Sequence, residues 1–179
     1  MINFNVAAIN RCTETEGPYK RLTIWFQGCD IRCEGCGNSS YQALEARHLM
    51  TLDDLIKVIA DAKQQFDIEG VTYSGGEPTL QKGLPLLTKR IQDLGLGVIA
   101  FTGHTYDSVQ EILSGCDLVL DGPFDRFCPD RERRLLGSEN QRILCLSDRY
   151  RHILDWFYSE KRSVEINVGE TIYANGDPF

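Results

Sequence analysis

The sequence predicts an α/β fold: a partial, open (β/α)5-6 barrel of mostly parallel strands, with a C-terminal helix and β-hairpin extension. Short continuous apolar runs, typical of buried parallel strands, alternate with stretches of helical periodicity. A closed barrel of eight such units needs roughly 250 residues. Because the chain has 179 residues, we predict about five or six units and a sheet that does not close.

The elements of the predicted core follow from local pattern. Its candidate strands are residues 4–9, 22–27, 71–74, 98–102, 118–121 and 143–146. The stretches 52–66, 83–94 and 106–113 are predicted helices. In the first helix Leu55, Ile56 and Ile59 recur at helical spacing, and Thr51 with Asp54 fits a capping box at its start.

The tail of the chain has a different pattern from the core. Residues 149–161 are predicted to be helical, with Trp156 and Phe157 in a packing stripe. Residues 163–168 and 171–174 flank Gly169-Glu170 and predict a terminal β-hairpin. We therefore expect a single domain over residues 1–179, with a core of about 1–147 and an extension of about 148–179.

Composition excludes several classes of function. The formal charge is −7, so an acidic chain would repel phosphate backbones, and we expect no nucleic-acid partner. Arg131, Arg133 and Arg134 lie among acidic residues and are interpreted as a solvated face. No apolar run approaches the ~20 residues of a membrane helix, and the start lacks the pattern of a secretory signal. A cytoplasmic protein without a membrane partner is the expectation.

The seven cysteines are the most informative residue type. Their odd number in a chain expected to be cytosolic disfavours a disulfide framework and favours metal or thiol chemistry. Cys29, Cys33 and Cys36 form a C-x3-C-x2-C loop directly after a predicted strand, at the sheet edge where ligands bind. An iron–sulfur cluster with one open iron suits three close cysteines. Zinc, completed by His48 or a later cysteine, and unligated thiols remain alternatives.

A second loop, Ser74-Gly75-Gly76-Glu77-Pro78, ends the next predicted strand. Two glycines let the backbone approach a ligand closely, and Glu77 could accept a hydrogen bond from an ammonium group. The alternative is an ordinary strand-to-helix turn closed by Pro78.

With both loops in place, the sequence resembles the radical S-adenosylmethionine (SAM) superfamily, and within it the activating proteins of anaerobic ribonucleotide reductase. The resemblance covers about residues 15–147. It rests on Gly-Pro-Tyr-Lys-Arg at 17–21, the cysteine loop at 28–38, Ser-Gly-Gly-Glu-Pro at 74–78, the strand ends at 102–103 and 121–122, and Gly-Ser-Glu-Asn-Gln-Arg at 137–142.

The resemblance implies a set of site residues. Cys29, Cys33 and Cys36 would ligate a [4Fe-4S] cluster whose open iron binds SAM. The residues that would contact SAM are Gly35, Gly37, Asn38, Ser74, Gly75, Gly76, Glu77, Thr102 and Gly103. No catalytic acid–base residue is required, because one-electron cleavage of SAM would supply a 5′-deoxyadenosyl radical that abstracts hydrogen.

The resemblance also implies a function with one main alternative. The first is an oxidoreductase of the activase type, which takes a hydrogen from a glycine of a partner such as anaerobic ribonucleotide reductase and receives electrons from flavodoxin or ferredoxin. The alternative is a stand-alone radical SAM enzyme acting on a small molecule or a peptide. Two features favour the alternative: Gly37, where reductase activators commonly carry an aromatic residue, and the tail. A non-catalytic iron–sulfur or zinc protein is a third hypothesis.

The remaining cysteines and one histidine carry weaker expectations. Cys116, Cys128 and Cys145 form no tight motif, and we expect inert thiols rather than an auxiliary cluster. His104 follows a predicted strand end and could contact a ligand. Trp25 is expected to pack in the core.

Overall fold

A seven-stranded sheet forms the centre of the computed structural model, which describes residues 2–168 and 172–177. Its strands are β1 (Asn3–Thr13), β2 (Arg21–Phe26), β3 (His48–Thr51), β4 (Gly70–Gly75), β5 (Gly97–Thr102), β6 (Leu118–Asp121) and β7 (Arg142–Cys145). They lie in the order β3-β1-β2-β4-β5-β6-β7. The run β2-β4-β5-β6 is parallel, whereas β1, β3 and β7 pair antiparallel to their neighbours. The predicted α/β class with a mostly parallel central sheet is confirmed.

The three predicted helices are present: the first has the predicted bounds, the second is one residue shorter at each end, and the third is shorter at its end. They are α1 (Leu52–Phe66), α2 (Leu84–Asp93) and α3 (Tyr106–Val109). The capping box that begins α1 is present, because the Thr51 hydroxyl accepts from the Asp54 amide and the Asp54 carboxylate accepts from the Thr51 amide. The third helix is shorter than predicted, because its continuation tightens into turns closed by Gly115, whose φ is +88°.

The two faces of the sheet bury different cores. One face packs against α1 and α2 through fully buried residues that include Ile24, Tyr73 and Leu55. On the opposite face Ile99, Leu118 and Leu120 meet Leu136, Tyr150 and Phe157, which come from the chain after β6 and β7. The C-terminal third of the chain therefore covers the sheet face that lacks α1 and α2.

A buried cation ties the chain after β7 to the start of the parallel sheet. Arg21 is fully buried and donates to the Thr72 hydroxyl at 2.8 Å, to the Glu69 carboxylate at 3.0 Å and to the Tyr150 hydroxyl at 2.9 Å. Burial raises the pKa of Tyr150 to about 12, so its hydroxyl stays protonated and donates to Glu69 at 2.6 Å. The hydrogen bonds of the buried Arg21 guanidinium hold Tyr150, and with it the chain after β7, against the start of the parallel sheet.

The extension differs in part from its prediction. The predicted helix is an eight-residue 3₁₀ helix, Arg151–Tyr158, in which Phe157 is buried and Tyr158 is 59% exposed. The predicted hairpin is present as β8 (Val164–Val168) and β9 (Ile172–Gly176), and its turn, 169–171, lies outside the described residues.

The arginines of the 130–137 loop are only partly a solvated face. Arg131 is exposed as expected, but the expectation is wrong for Arg134, which is 5% exposed and donates to Asp177. Its guanidinium lies 3.8 Å from the centre of the Trp156 ring. The tail brings both partners to it, which local sequence does not reveal.

Helices of the described residues are too short or too polar to cross a bilayer.

Candidate functional site

The cysteine loop leaves the sheet directly after β2, as the sequence predicted. Gly28 lies where the chain leaves the sheet and has a φ of +98°. Glycine adopts this left-handed conformation without steric cost, because it has no Cβ. The Gly28 amide donates to the Tyr41 carbonyl at 2.8 Å, and the Cys29 amide donates to the Gln42 carbonyl at 3.1 Å. These bonds close the loop at its base, so the segment that carries the cysteines starts and ends at the sheet edge.

Three unpaired thiols lie on this loop. Cys29 is buried, while Cys33 and Cys36 are partly exposed, and the Cys36 amide donates to the Cys33 carbonyl at 3.3 Å. Within the described residues, no three His, Cys, Asp or Glu side chains converge as ligands of a single metal ion would. Ligands of a cubane bind separate irons and need not converge on one point. The chemistry of the donors, three thiolates on one loop, fits a [4Fe-4S] cluster.

The glycines of the second loop are explained by close backbone packing. The Gly76 amide donates to the Phe26 carbonyl at 2.8 Å, and the Glu77 amide donates to the Gly28 carbonyl at 2.7 Å. A Cβ on Gly75 would lie 2.3 Å from the Phe26 nitrogen, and one on Gly76 would lie 2.2 Å from the Gly28 oxygen. The Gly-Gly pair therefore lets the end of β4 lie directly against the base of the cysteine loop.

Glu77 joins this loop to the end of β5. It is 1% exposed, and its carboxylate accepts from the Thr79 amide, the Thr79 hydroxyl, the Thr102 hydroxyl and the Gly103 amide at 2.7–3.0 Å. Gly103 in turn approaches the cysteine loop, because an added Cβ there would lie 2.5 Å from Ile31. The carboxyl ends of β2, β4 and β5 thus form one connected unit. The contact between Glu77 and the ammonium group of a ligand stays a prediction.

A cavity of about 550 Å³ opens beside the cysteine loop. It reaches from the loop across the sheet face to the C-terminal hairpin. Its lining includes the predicted residues Gly35, Cys36, Gly37, Asn38 and Ser74. The unpredicted part of the lining is Glu16, Trp25, Tyr41, Phe101, Phe124, Leu135, Gly137, Gln141, Val164, Ala174, Asn175, Gly176 and Asp177. Outside the lining lie Cys29 and Cys33 on the cysteine loop, and Gly75, Gly76, Glu77, Thr102 and Gly103 at the ends of β4 and β5.

Glu16 is a titratable cavity residue that the sequence analysis did not single out. It precedes Gly17-Pro18, and its carboxylate accepts from the Gly176 amide at 3.0 Å. Burial, with smaller contributions from the negative charges of Asp177 and Glu165, raises the pKa of the Glu16 carboxyl to about 8. At neutral pH the cavity therefore contains a largely protonated carboxyl group. In the sequence, the feature that could have drawn attention to Glu16 was its position directly before Gly17-Pro18.

Replacing Glu16 by glutamine should change how stability depends on pH. The folded protein binds this proton more tightly than the unfolded chain does. Its stabilising effect is therefore complete below the ordinary pKa of 4.5 and is lost as the pH rises through about 8. Because glutamine cannot ionise, we expect the unfolding temperature of Glu16→Gln to exceed that of the wild type increasingly from about pH 5 to about pH 9. If the unfolding temperatures of the two proteins changed in parallel over that pH range, the raised pKa of Glu16 would be contradicted.

The weaker candidates lie at separate places. The His104 ring is 3.2 Å from the Asp30 carboxylate, beside the cysteine loop. Cys116 is buried, and burial raises its pKa to about 12, which leaves an inert neutral thiol. Cys128 is exposed and Cys145 is partly buried, and the described residues offer no group of three ligands there for an ion.

Comparison with known proteins places the chain in a family. A family model described as a 4Fe-4S single cluster domain matches residues 15–144. The anaerobic ribonucleoside-triphosphate reductase-activating protein of Vibrio cholerae is 31% identical over 71% of this chain and 88% of its own length. The chain belongs to the radical SAM activating proteins.

Other known proteins match the chain to differing extents. The pyruvate formate-lyase-activating enzyme of Staphylococcus aureus is 29% identical over 96% of this chain and 76% of its own length. The chain spans about half, 52%, of the corresponding enzyme of Clostridium pasteurianum, at 32% identity over 67% of this chain. The crystal structure of QueE from Escherichia coli aligns with a TM-score of 0.48 and 19% identity, over 57% of this chain and 54% of that one.

Proposed function

We propose that this radical SAM enzyme generates a glycyl radical on a separate partner enzyme, of which anaerobic ribonucleotide reductase is the first candidate. The observation that carries the proposal is the connected unit at the carboxyl ends of β2, β4 and β5. It joins the three-cysteine loop to the Gly-Gly-Glu-Pro loop and borders a cavity. The relatives' names, which describe activating proteins, support the choice of a protein substrate.

Each part of the site has a proposed role. Cys29, Cys33 and Cys36 would hold a [4Fe-4S] cluster, which supplies the electron that cleaves SAM into methionine and a 5′-deoxyadenosyl radical. SAM would be held by Gly35, Gly37, Asn38, Ser74, Gly75, Gly76, Glu77, Thr102 and Gly103. The chain contributes positioning and exclusion of water, through the rings of Trp25, Phe101 and Phe124 on the cavity wall.

The free thiols bear on the proposed cellular location of the protein. All seven cysteines are unpaired, which fits a reducing compartment and supports the proposed cytoplasmic location. An electron donor such as flavodoxin or ferredoxin is part of the same proposal.

Isotope transfer tests this function. The protein is reconstituted anaerobically with iron and sulfide, reduced with dithionite and mixed with SAM and a reductase that carries deuterated glycine. We expect deuterium in the 5′-deoxyadenosine and a glycyl radical signal in the electron paramagnetic resonance spectrum of the reductase. Unlabelled 5′-deoxyadenosine with the glycine-deuterated reductase, together with deuterium transfer from a labelled small metabolite in a separate reaction, would overturn the proposal.

A stand-alone enzyme acting on a small molecule or a peptide is the second candidate. The cavity favours it, because the hairpin β8–β9 forms part of its lining and narrows the space open to a partner. The same isotope experiment, with labelled peptides and metabolites as donors, separates the two candidates.

A further inference from the structure

The C-terminal hairpin β8–β9 is docked on the β1–β2 connection by one polar face. The Asn175 amide donates to the Thr15 hydroxyl at 2.7 Å and to the Thr13 hydroxyl at 3.2 Å. Glu165, opposite Asn175 in the hairpin, accepts from the Asn10 amide at 3.4 Å. These contacts fix the hairpin beside the cavity end that contains Glu16.

The base of the hairpin also contacts the connection between β6 and β7. Asp177 is 3% exposed and accepts from the Arg134 guanidinium, the Leu135 amide and the Ser163 amide at 2.8–3.0 Å. Arg134 and Leu135 belong to the connection between β6 and β7, whereas Thr13 ends β1 and Thr15 belongs to the connection between β1 and β2. One end of the hairpin therefore contacts both of these parts of the chain, which lie on opposite sides of the parallel strands in the strand order.

The other face of the hairpin is apolar and continues the cavity wall. Val164, Ile166 and Ala174 lie on this face, since Ile166 is directly opposite Ala174 and Val164 is two residues from Ile166. Val164 and Ala174 line the cavity together with Cys36. Val164 is 37% exposed and Ile166 is 66% exposed. This face thus leads outward from the cysteine loop as an exposed apolar surface.

The charges around the cavity restrict what can bind there. Among the described residues, the charged types in its lining are Glu16 and Asp177. Asp177 is paired with Arg134, and the Glu16 carboxyl is largely protonated at neutral pH. At the hairpin end of the cavity, a charged ligand group would lose its hydration without gaining a counter-charge. This end therefore suits an uncharged ligand segment, whereas the end at the cysteine loop contains Gly35, Gly37 and Asn38, which are proposed to hold SAM.

We propose that the hairpin is a fixed wall of the substrate chamber, and that its Val164, Ile166 and Ala174 face contacts an uncharged, small-residue segment of the partner polypeptide. This inference rests on the proposed function. In this arrangement the partner segment that carries the reacting glycine passes between this face and the cysteine loop. The tail therefore takes part in selecting the substrate.

A charge placed on the exposed end of this face tests the inference. In Ile166→Glu we expect the ratio of deuterated to total 5′-deoxyadenosine, with the glycine-deuterated reductase, to fall about tenfold, because the carboxylate must be desolvated against the segment. Ile166→Val should keep the wild-type ratio. The matched control is Leu49→Glu, because Leu49 is 62% exposed on the edge strand β3 and lies outside the cavity lining.

Hydrogen–deuterium exchange of the reconstituted protein gives a second readout. We expect backbone amides of residues 164–168 and 172–177 to exchange more slowly when the reductase and SAM are added. Faster exchange would identify a lid that undocks and would overturn the fixed wall. A wild-type ratio in Ile166→Glu would also refute the inference while the proposed function stands. Absence of label transfer in the wild type would instead refute the proposed function.

Discussion

Replacing Cys33 by alanine is expected to abolish both the iron–sulfur cluster and the reductive cleavage of SAM. A cubane held by three cysteines on one loop loses a third of its protein ligands, and alanine has no donor atom to replace the thiolate. The measurement is the iron and sulfide content of anaerobically reconstituted protein, together with 5′-deoxyadenosine formed after reduction with dithionite. We expect both to fall to background.

The matched control for this variant is Cys145→Ala. Cys145 is also partly buried, but it lies on β7 at the far edge of the sheet and donates from its sulfur to the Ser147 carbonyl. It should keep wild-type iron content and wild-type cleavage. Retained cleavage in Cys33→Ala, or loss of the cluster in Cys145→Ala, would refute the ligand assignment.

Adding one methyl group at Gly76 should disrupt the same site without touching a cysteine. The new Cβ would lie 2.2 Å from the Gly28 oxygen and 2.7 Å from the Tyr41 oxygen, and both are backbone atoms that cannot rotate away. Overpacking of this kind costs about 1–3 kcal/mol, and here it must separate the end of β4 from the cysteine loop. We expect Gly76→Ala to lower the unfolding temperature and to reduce cleavage of SAM strongly.

The control for the steric argument is Gly37→Ala. A Cβ at Gly37 meets no atom within 4 Å, and its φ lies outside the left-handed region. Its unfolding temperature should equal that of the wild type, whatever happens to its cofactor affinity. Equal stability of Gly76→Ala and the wild type would show that the two loops are not locked together as described.

Elements with a strong local signal were predicted well from sequence. The buried strand at 118–121 and the helix at 52–66 match β6 and α1 at both ends, because apolar pattern and capping chemistry are local properties. The edge strand β3 was not predicted, since His48 and Leu49 are exposed and only pairing with β1 makes this segment a strand. The tail helix was predicted, but it adopts the 3₁₀ geometry.

The prediction of the site's chemistry came from short-range patterns. Three cysteines within eight residues favour an iron–sulfur cluster over zinc, and together with the Gly-Gly-Glu-Pro sequence they carry the resemblance to the radical SAM superfamily, because the spacing of residues along one loop is a property of the chain itself. Only the tertiary structure shows what surrounds that site. Glu16, Arg134 and Asp177 lie far apart in sequence, and burial against the C-terminal hairpin gives each of them its partners. Long-range packing, which local pattern does not encode, made the tail a wall of the cavity.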